Sequence, residues 1–139
     1  MSTAVELTII STQQQDGTSD KSRMKAKGTL EYTSEGYILS YTEPDSEMGN
    51  CVSHIKFHSS DKVELCRTGA YCTHFLIEEG KTHTALYKSP FGEMDMEISA
   101  SRVRTDISLS GGRVHLEYKI TSNSQLIGEN TLLLDIKKI

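Results

Sequence analysis

The sequence predicts an all-β protein, a single up-and-down antiparallel meander that closes into a barrel of about ten strands. Three observations carry this prediction. Short runs that alternate apolar and polar residues recur about every 8–12 residues, residues that favour tight turns separate the runs, and no stretch shows the period of an amphipathic helix. Because an open meander of this length would expose two edge strands, closure into a barrel is the expected architecture.

Alternating runs follow one another along the whole chain. They cover residues 5–10, 24–32, 37–43, 51–57, 63–67, 71–77, 82–88, 94–98, 103–109, 114–120 and 126–136. The polar, glutamine-rich segment 11–22 between the first two runs predicts a long loop or a frayed hairpin end. If each of these eleven runs were a strand, the first and the last strands would lie parallel at the closing seam. Either one strand is therefore miscounted or the closure of the barrel is imperfect.

The turns between the runs have identifiable causes. Gly36, Gly80 and the pair Gly111-Gly112 supply residues that adopt the positive φ angles of tight hairpins. Pro90 lacks a backbone N–H and should end the strand before it. Since the connections are short, strands that are adjacent in sequence are expected to pair in the sheet.

Alternation also predicts which side chains face the interior. The inward set is Met24, Ala26, Leu30, Tyr32, Leu39, Tyr41, Leu65, Phe75, Met94, Met96, Ile98, Leu116, Tyr118, Leu132, Leu134 and Ile136. These side chains either fill a narrow barrel or leave a cavity of about 300 Å³ or more, the volume expected of a small-molecule site.

The composition is typical of one globular domain spanning residues 1–139. A formal net charge of −4 argues against a nucleic acid as partner, and no window is apolar enough for a membrane-spanning helix. The first residues lack the basic and apolar regions of a signal peptide, so we expect a cytoplasmic protein with its cysteines reduced. The sequence implies no cofactor and leaves a homodimer open.

Arg67 stands where alternation calls for an apolar residue. The inward positions of its strand are Val63, Leu65 and then Arg67. An unpaired buried guanidinium costs several kcal/mol, so a carboxylate, trapped water or a ligand must compensate for it.

Four residues are predicted to surround Arg67 at one mouth of the barrel: Tyr41, Glu43, Tyr71 and Tyr87. The strands that end at Glu43 and Arg67 are separated by a single antiparallel strand, so both finish at the same rim, roughly 10 Å apart. Two interpretations remain open. The cluster binds the anionic group of a small amphipathic ligand, or an Arg67–Glu43 pair is purely structural and fixes the strand register.

A second constellation could hold a surface zinc ion: Cys66, Cys72 and His74. If residues 68–70 form a three-residue hairpin loop, Cys66 faces Cys72 across the ladder and Glu64 faces His74. The Cys-x2-Cys spacing usual in hairpin zinc sites is missing, and free thiols are the favoured interpretation.

Five runs taken together resemble the YwiB-like proteins of Gram-positive bacteria. They are Tyr41-Thr42-Glu43, Val63-Glu64-Leu65-Cys66-Arg67-Thr68-Gly69, Tyr87-Lys88-Ser89-Pro90-Phe91-Gly92, Leu116-Glu117-Tyr118 and Ile127-Gly128-Glu129-Asn130. The resemblance covers nearly the whole chain and implies a calycin-type (lipocalin-like) β-barrel of cytoplasmic origin, without an established activity. The chain has no Trp, hence no Gly-x-Trp signature of true lipocalins, so secreted ligand transport is not implied.

The function that the sequence favours is a non-catalytic module that binds a small ligand, with Arg67 and the rim tyrosines orienting it. Signals of catalysis are weak, because the sequence contains no phosphate-binding glycine loop, nucleophile elbow or His-Glu-x-x-His motif. The alternatives are a structural or protein-interaction barrel with a filled lumen, and an enzyme of unknown reaction sited in the lumen.

Overall fold

A computed structural model describes residues 2–15, 17–43, 51–68, 73–89 and 92–139, with the backbone alone described at Glu43, Cys51 and Ser89. The strands are β1 (Ser2–Gln15), β2 (Thr18–Thr33), β3 (Gly36–Glu43), β4 (Cys51–Ser59), β5 (Lys62–Thr68), β6 (Thr73–Glu78), β7 (Thr82–Ser89), β8 (Gly92–Ser108), β9 (Gly111–Ser122) and β10 (Gln125–Lys138). They form one sheet in the order β6-β5-β4-β3-β2-β1-β10-β9-β8-β7. The all-β meander is confirmed. These residues contain no helix, and hence none suited to crossing a membrane.

The predicted strands 94–98 and 103–109 are two halves of β8. The eleven alternating runs therefore form ten described strands, in agreement with the predicted barrel of about ten. A β-bulge between Ala100 and Arg102 gives β8 one more residue than the facing stretch of β9. The buried positions therefore change parity between Ala100 and Val103, which keeps an apolar face on the interior through the bend. In the sequence, this change of parity has the same pattern as a break between two strands.

Segment 11–22 is the end of the long β1–β2 hairpin. Antiparallel pairing continues through Ser11–Ser22 to Gln15–Thr18. The segment is a hairpin end rather than a loop, and its described residues are paired rather than frayed. Its side chains are mostly exposed beyond Thr12, which explains why the segment is polar.

The seam of the barrel lies between β6 and β7, and the first and last strands pair with each other. β1 and β10 are antiparallel from Val5–Lys138 to Gln14–Glu129. Within the described ranges, β6 and β7 are not neighbours in the sheet. Their connecting turn has Gly80 at φ +78°, and the Gly80 N–H donates to the carbonyl of Ala100 on β8 (2.9 Å). The result is a nearly closed barrel. The imperfect closure that the sequence analysis left open is thus present, at the seam between β6 and β7.

The apolar core fills the middle of the barrel. Its fully buried side chains are Val5, Leu7, Leu30, Leu39, Val63, Ile77, Ile98, Val103 and Leu116. Two members of the predicted inward set are wrong, since Tyr32 is 55% exposed and Met94 is 39% exposed. Both have inward parity but lie within two residues of a strand end. The Tyr32 ring packs edge-to-face against Tyr37.

Candidate ligand-binding site

A cavity of about 620 Å³ lies in the lumen, at the end of the barrel where β5 finishes. Its apolar wall includes Met24, Leu65, Phe75, Met96, Ile120 and Leu132. The chain alternates direction, so β3, β5 and β7 end at this rim while β4, β6 and β8 begin there. The lumen is therefore open toward the mouth at which the sequence placed its candidate residues.

Polar side chains form one inward layer across β3, β4, β5 and β6. Tyr41 pairs with Ser53, Ser53 with Arg67, and Arg67 with Thr73. All four line the cavity, and Ser53 is only 5% exposed. The next inward layer, two residues deeper, is apolar and contains Leu39, Ile55, Leu65 and Phe75. Period-two alternation thus stacks a polar layer at the mouth on an apolar layer beneath it.

Tyr118 and Asn130 line the opposite wall, where they face each other across the β9–β10 ladder. Burial raises the pKa of the Tyr118 hydroxyl to about 12, an effect that the charge of Arg67 opposes and that Tyr41 strengthens. Tyr118 therefore keeps its proton at neutral pH. It can donate that proton in a hydrogen bond.

The Asn130 amide nitrogen Nδ2 is buried and has no hydrogen-bond partner among the described residues. Buried polar groups are nearly always paired, so an unpaired donor on a cavity wall needs an explanation. Sequence analysis missed Asn130 as a site residue, although the signal was available. It has the same parity as Leu132, Leu134 and Ile136, and is a polar residue on an inward face just as Arg67 is.

Of the five residues predicted to form the site, three line the cavity together: Tyr41, Arg67 and Tyr87. Glu43 ends β3 at the same rim, with its backbone paired to Cys51. Its side chain lies outside the described part of the chain, so the Arg67–Glu43 pair stays a prediction. Tyr71 also lies outside the described residues. The polar cluster that the geometry supports includes Tyr41, Ser53, Arg67, Thr73, Tyr87, Tyr118 and Asn130.

Residues 7–134 match the family described as "Domain of unknown function (DUF1934)". The chain belongs to the DUF1934 family. It is 25% identical over 116 residues, 84% of this chain and 80% of the relative, to the "Uncharacterized beta-barrel protein YwiB" of Bacillus subtilis (strain 168). The crystal structure of the Bacillus subtilis ywiB protein has the same fold, with a TM-score of 0.89, 21% identity, and coverage of 99% of this chain and 93% of that one. The resemblance to YwiB-like proteins is confirmed.

This DUF1934 chain carries a second cluster, on the outer face of β4, β5 and β6. Cys66 pairs directly with His74, whereas Glu64 pairs with Leu76. The expected pairing of Glu64 with His74 is therefore wrong by two residues, and so is the expected pairing of Cys66 with Cys72, since the partner of Cys66 is His74. Cys72 lies outside the described residues.

Glu64 is the centre of this outer cluster. His58 Nε2 donates to Glu64 Oε1 at 2.9 Å, His74 Nε2 contacts Oε2, and the Cys66 Sγ lies 3.7 Å from Oε2. The two histidines hold the pKa of the Glu64 carboxyl down, to about 2, against the effect of its burial. Burial and the Glu64 charge raise the pKa of the Cys66 thiol. Without a bound cation, Cys66 therefore stays protonated at neutral pH.

Proposed function

We propose that this protein is a non-catalytic module that binds a small amphipathic or anionic molecule in its lumen. The observation that carries the proposal is the cavity of about 620 Å³, apolar in its depth and polar at the level of Arg67. Small-molecule sites usually measure about 300–1,000 Å³ and combine an apolar lining with a few convergent polar groups. The lumen of this barrel has both properties.

The polar groups favour a ligand with an acidic head and an apolar body. Arg67 supplies a permanent positive charge and donors suited to a carboxylate or a phosphate. Tyr118 supplies a neutral hydroxyl donor, since its pKa is about 12, and Asn130 an amide donor without another partner in the described chain. A ligand oriented by these groups would place its apolar part against Leu65 and Phe75.

The cavity also argues against the alternative of a structural barrel with a filled lumen. Side chains that packed the interior completely would leave few voids larger than a water molecule. A lumen-sited enzyme stays an alternative without a specific observation in its favour. A cytoplasmic location, and a barrel of the calycin type, remain parts of the proposal.

Decanoate and decanol form a matched pair of probes for this proposal, because they share an apolar chain and differ in charge. We expect native mass spectrometry and calorimetry to show binding of decanoate to the protein. Replacing Arg67 by Met should weaken decanoate binding at least about tenfold, since a charge-assisted hydrogen bond contributes roughly 1.5–3 kcal/mol. Decanol binding should change little.

Arg102→Met is the control variant. Arg102 is exposed on the outer face and contacts Glu117 at 3.4 Å. Its replacement should therefore leave the affinities for decanoate and decanol at their wild-type values. The proposal is wrong if neither probe binds the wild type, or if Arg67→Met retains full decanoate affinity while its circular dichroism shows an intact barrel.

A further inference from the structure

We propose that the outer face of β5 and β6 carries a zinc site in which Glu64, Cys66 and His74 are the protein ligands. One donor atom from each residue lies within 4.8 Å of the other two. This site is on the face opposite the lumen, because Val63 and Leu65, which alternate with Glu64 and Cys66, face inward. Glu64 and His74 do not line the cavity, whereas Cys66 borders it.

The strand register brings the three side chains together. Glu64 and Cys66 are two residues apart on β5, so both point outward, and His74 on β6 is the direct partner of Cys66. Glu64 and Cys66 are half-buried, which limits their movement. The His74 side chain is 64% exposed and is free to adjust around an ion.

The donor set favours Zn²⁺ over the other common divalent cations. A thiolate, an imidazole and a carboxylate are the three ligand types that zinc uses, at about 2.0–2.3 Å in tetrahedral geometry. Such bond lengths place neighbouring ligand atoms roughly 3.3–3.7 Å apart, and Cys66 Sγ lies 3.7 Å from Glu64 Oε2. Ca²⁺ and Mg²⁺ prefer oxygen ligands and would make no use of the thiol.

The two oxygens of Glu64 have different contacts, as expected of a ligating carboxylate. Oε2 contacts both Cys66 and His74, whereas Oε1 accepts a hydrogen bond from His58 at 2.9 Å. Oε2 is thus the ligating atom. His58 is a positioning residue, because its hydrogen bond to Oε1 holds the carboxylate in place. A water molecule would complete a tetrahedral site.

Zinc binding is balanced by the release of one proton. The Cys66 thiol is protonated in the metal-free protein and must lose its proton to bind as a thiolate. In the metal-free protein His74 Nε2 donates to the ionised Glu64 carboxylate, so the neutral imidazole must change to the tautomer with its proton on Nδ1 before Nε2 can bind zinc, a change that releases no further proton. The thiolate and the carboxylate then neutralise the two charges of the ion.

Lys56 is the neighbouring charge that opposes a cation. It pairs with Glu64 across the β4–β5 ladder, and its charge acts on that carboxyl. Replacing Lys56 by Met should therefore raise the zinc affinity several-fold. If zinc bound at residues other than Glu64, Cys66 and His74, Lys56→Met would not raise the zinc affinity.

Cobalt(II) is the spectroscopic probe for the site, used on protein without a histidine tag. The variant Cys51→Ser/Cys72→Ser leaves Cys66 as the only thiol of the chain. We expect Co²⁺ to give a thiolate-to-cobalt charge-transfer band and tetrahedral d–d bands in this variant. Zn²⁺ should displace the cobalt and remove these bands, whereas adding Zn²⁺ to the metal-free protein should release the proton of the Cys66 thiol.

Further substitutions in the same background assign the ligands. Cys66→Ser should abolish the charge-transfer band, and Glu64→Gln and His74→Ala should each weaken zinc binding by at least about 100-fold. His58→Ala should weaken it about 10- to 100-fold, the usual effect of losing an outer-shell partner. His115→Ala is the matched control, because His115 also adjoins a carboxylate, Glu117 at 3.7 Å, but belongs to no group of three metal-ligating side chains among the described residues.

Two results would overturn the zinc site. One is the absence of a charge-transfer band when Cys66 is the only thiol, in protein whose circular dichroism matches the wild type. The other is a band that persists in both Glu64→Gln and His74→Ala. An unchanged zinc affinity in His115→Ala, together with losses in the three ligand variants, supports the assignment.

Discussion

Tyr118 and Asn130 lie directly opposite each other across the β9–β10 ladder, and both face the cavity that Arg67 lines from the other side of the barrel. One is a hydroxyl kept protonated by burial. The other is an amide whose Nδ2 has no partner in the described part of the chain. A wall that offers two neutral donors opposite a cation suits an acceptor-rich group in the cavity and gives the barrel itself little stability.

Asn130→Leu is expected to stabilise the ligand-free protein by about 1 kcal/mol. A buried donor without a partner costs roughly 1–3 kcal/mol, and an apolar side chain of similar size removes that cost. Urea unfolding measures the change in the free energy of unfolding. The same variant should bind decanoate more weakly than the wild type. A loss of stability would show that the amide has a partner in the free protein.

Arg67→Met and Glu43→Gln test whether these two residues form a structural pair. If they do, each single change costs stability, and the double variant recovers most of the loss, with a coupling of about 0.5–3 kcal/mol. If Arg67 serves mainly to bind a ligand, the coupling falls below about 0.5 kcal/mol and only decanoate binding suffers. Chemical denaturation of the four proteins of the cycle decides between the two.

Alternation of apolar and polar residues predicted the fold and the inward position of Arg67. In a sheet with one buried face, every second residue of a strand faces the interior. It failed at Ser101, between Ala100 and Arg102 of β8, where a bulge switches the parity within a single strand. A bulge has no residue signature of its own here. The number of alternating runs therefore exceeds the number of described strands by one, although the predicted barrel of about ten strands is confirmed.

The candidate sites were predicted less completely, since they depend on register as well as on parity. Arg67 and Tyr87 could be assigned to the mouth from strand direction alone. The contact of His74 with Glu64 depends on the length of the β5–β6 connection, which parity does not determine. Asn130 was missed because an inward amide is a weaker anomaly than an inward guanidinium.

Tyr118 is expected to make stability fall at alkaline pH. Its folded pKa of about 12 is raised above the usual value of 10, so its contribution to stability is fully present below pH 10. That contribution is lost as pH rises from 10 through 12. Tyrosinate absorbance should show one of the six tyrosines titrating near pH 12 in the wild type. Tyr118→Phe should lack this late step and should lose less stability across the same interval.

Glu79 is expected to hold the seam of the barrel closed. It follows β6, and its carboxylate accepts the backbone N–H of Val103 on β8 (3.0 Å) and contacts Arg104. These interactions lower the pKa of the Glu79 carboxyl, and the hydrogen bond from the Val103 N–H has the largest effect. Its contribution to stability is therefore present above the unfolded pKa near 4.5 and is lost as pH falls through the lower folded value.

Glu79→Gln should lower the thermal unfolding midpoint at neutral pH and make the loss of stability below pH 4.5 shallower. Amide hydrogen exchange should also become faster at Val103, since the variant weakens the bond that protects this N–H. Glu117→Gln is the control, because Glu117 contacts Arg102 on the surface at 3.4 Å, an exposed pair of the kind that contributes little. Unchanged exchange at Val103 in Glu79→Gln would mean that the pairing of the Gly80 turn with Ala100 closes the seam without this carboxylate.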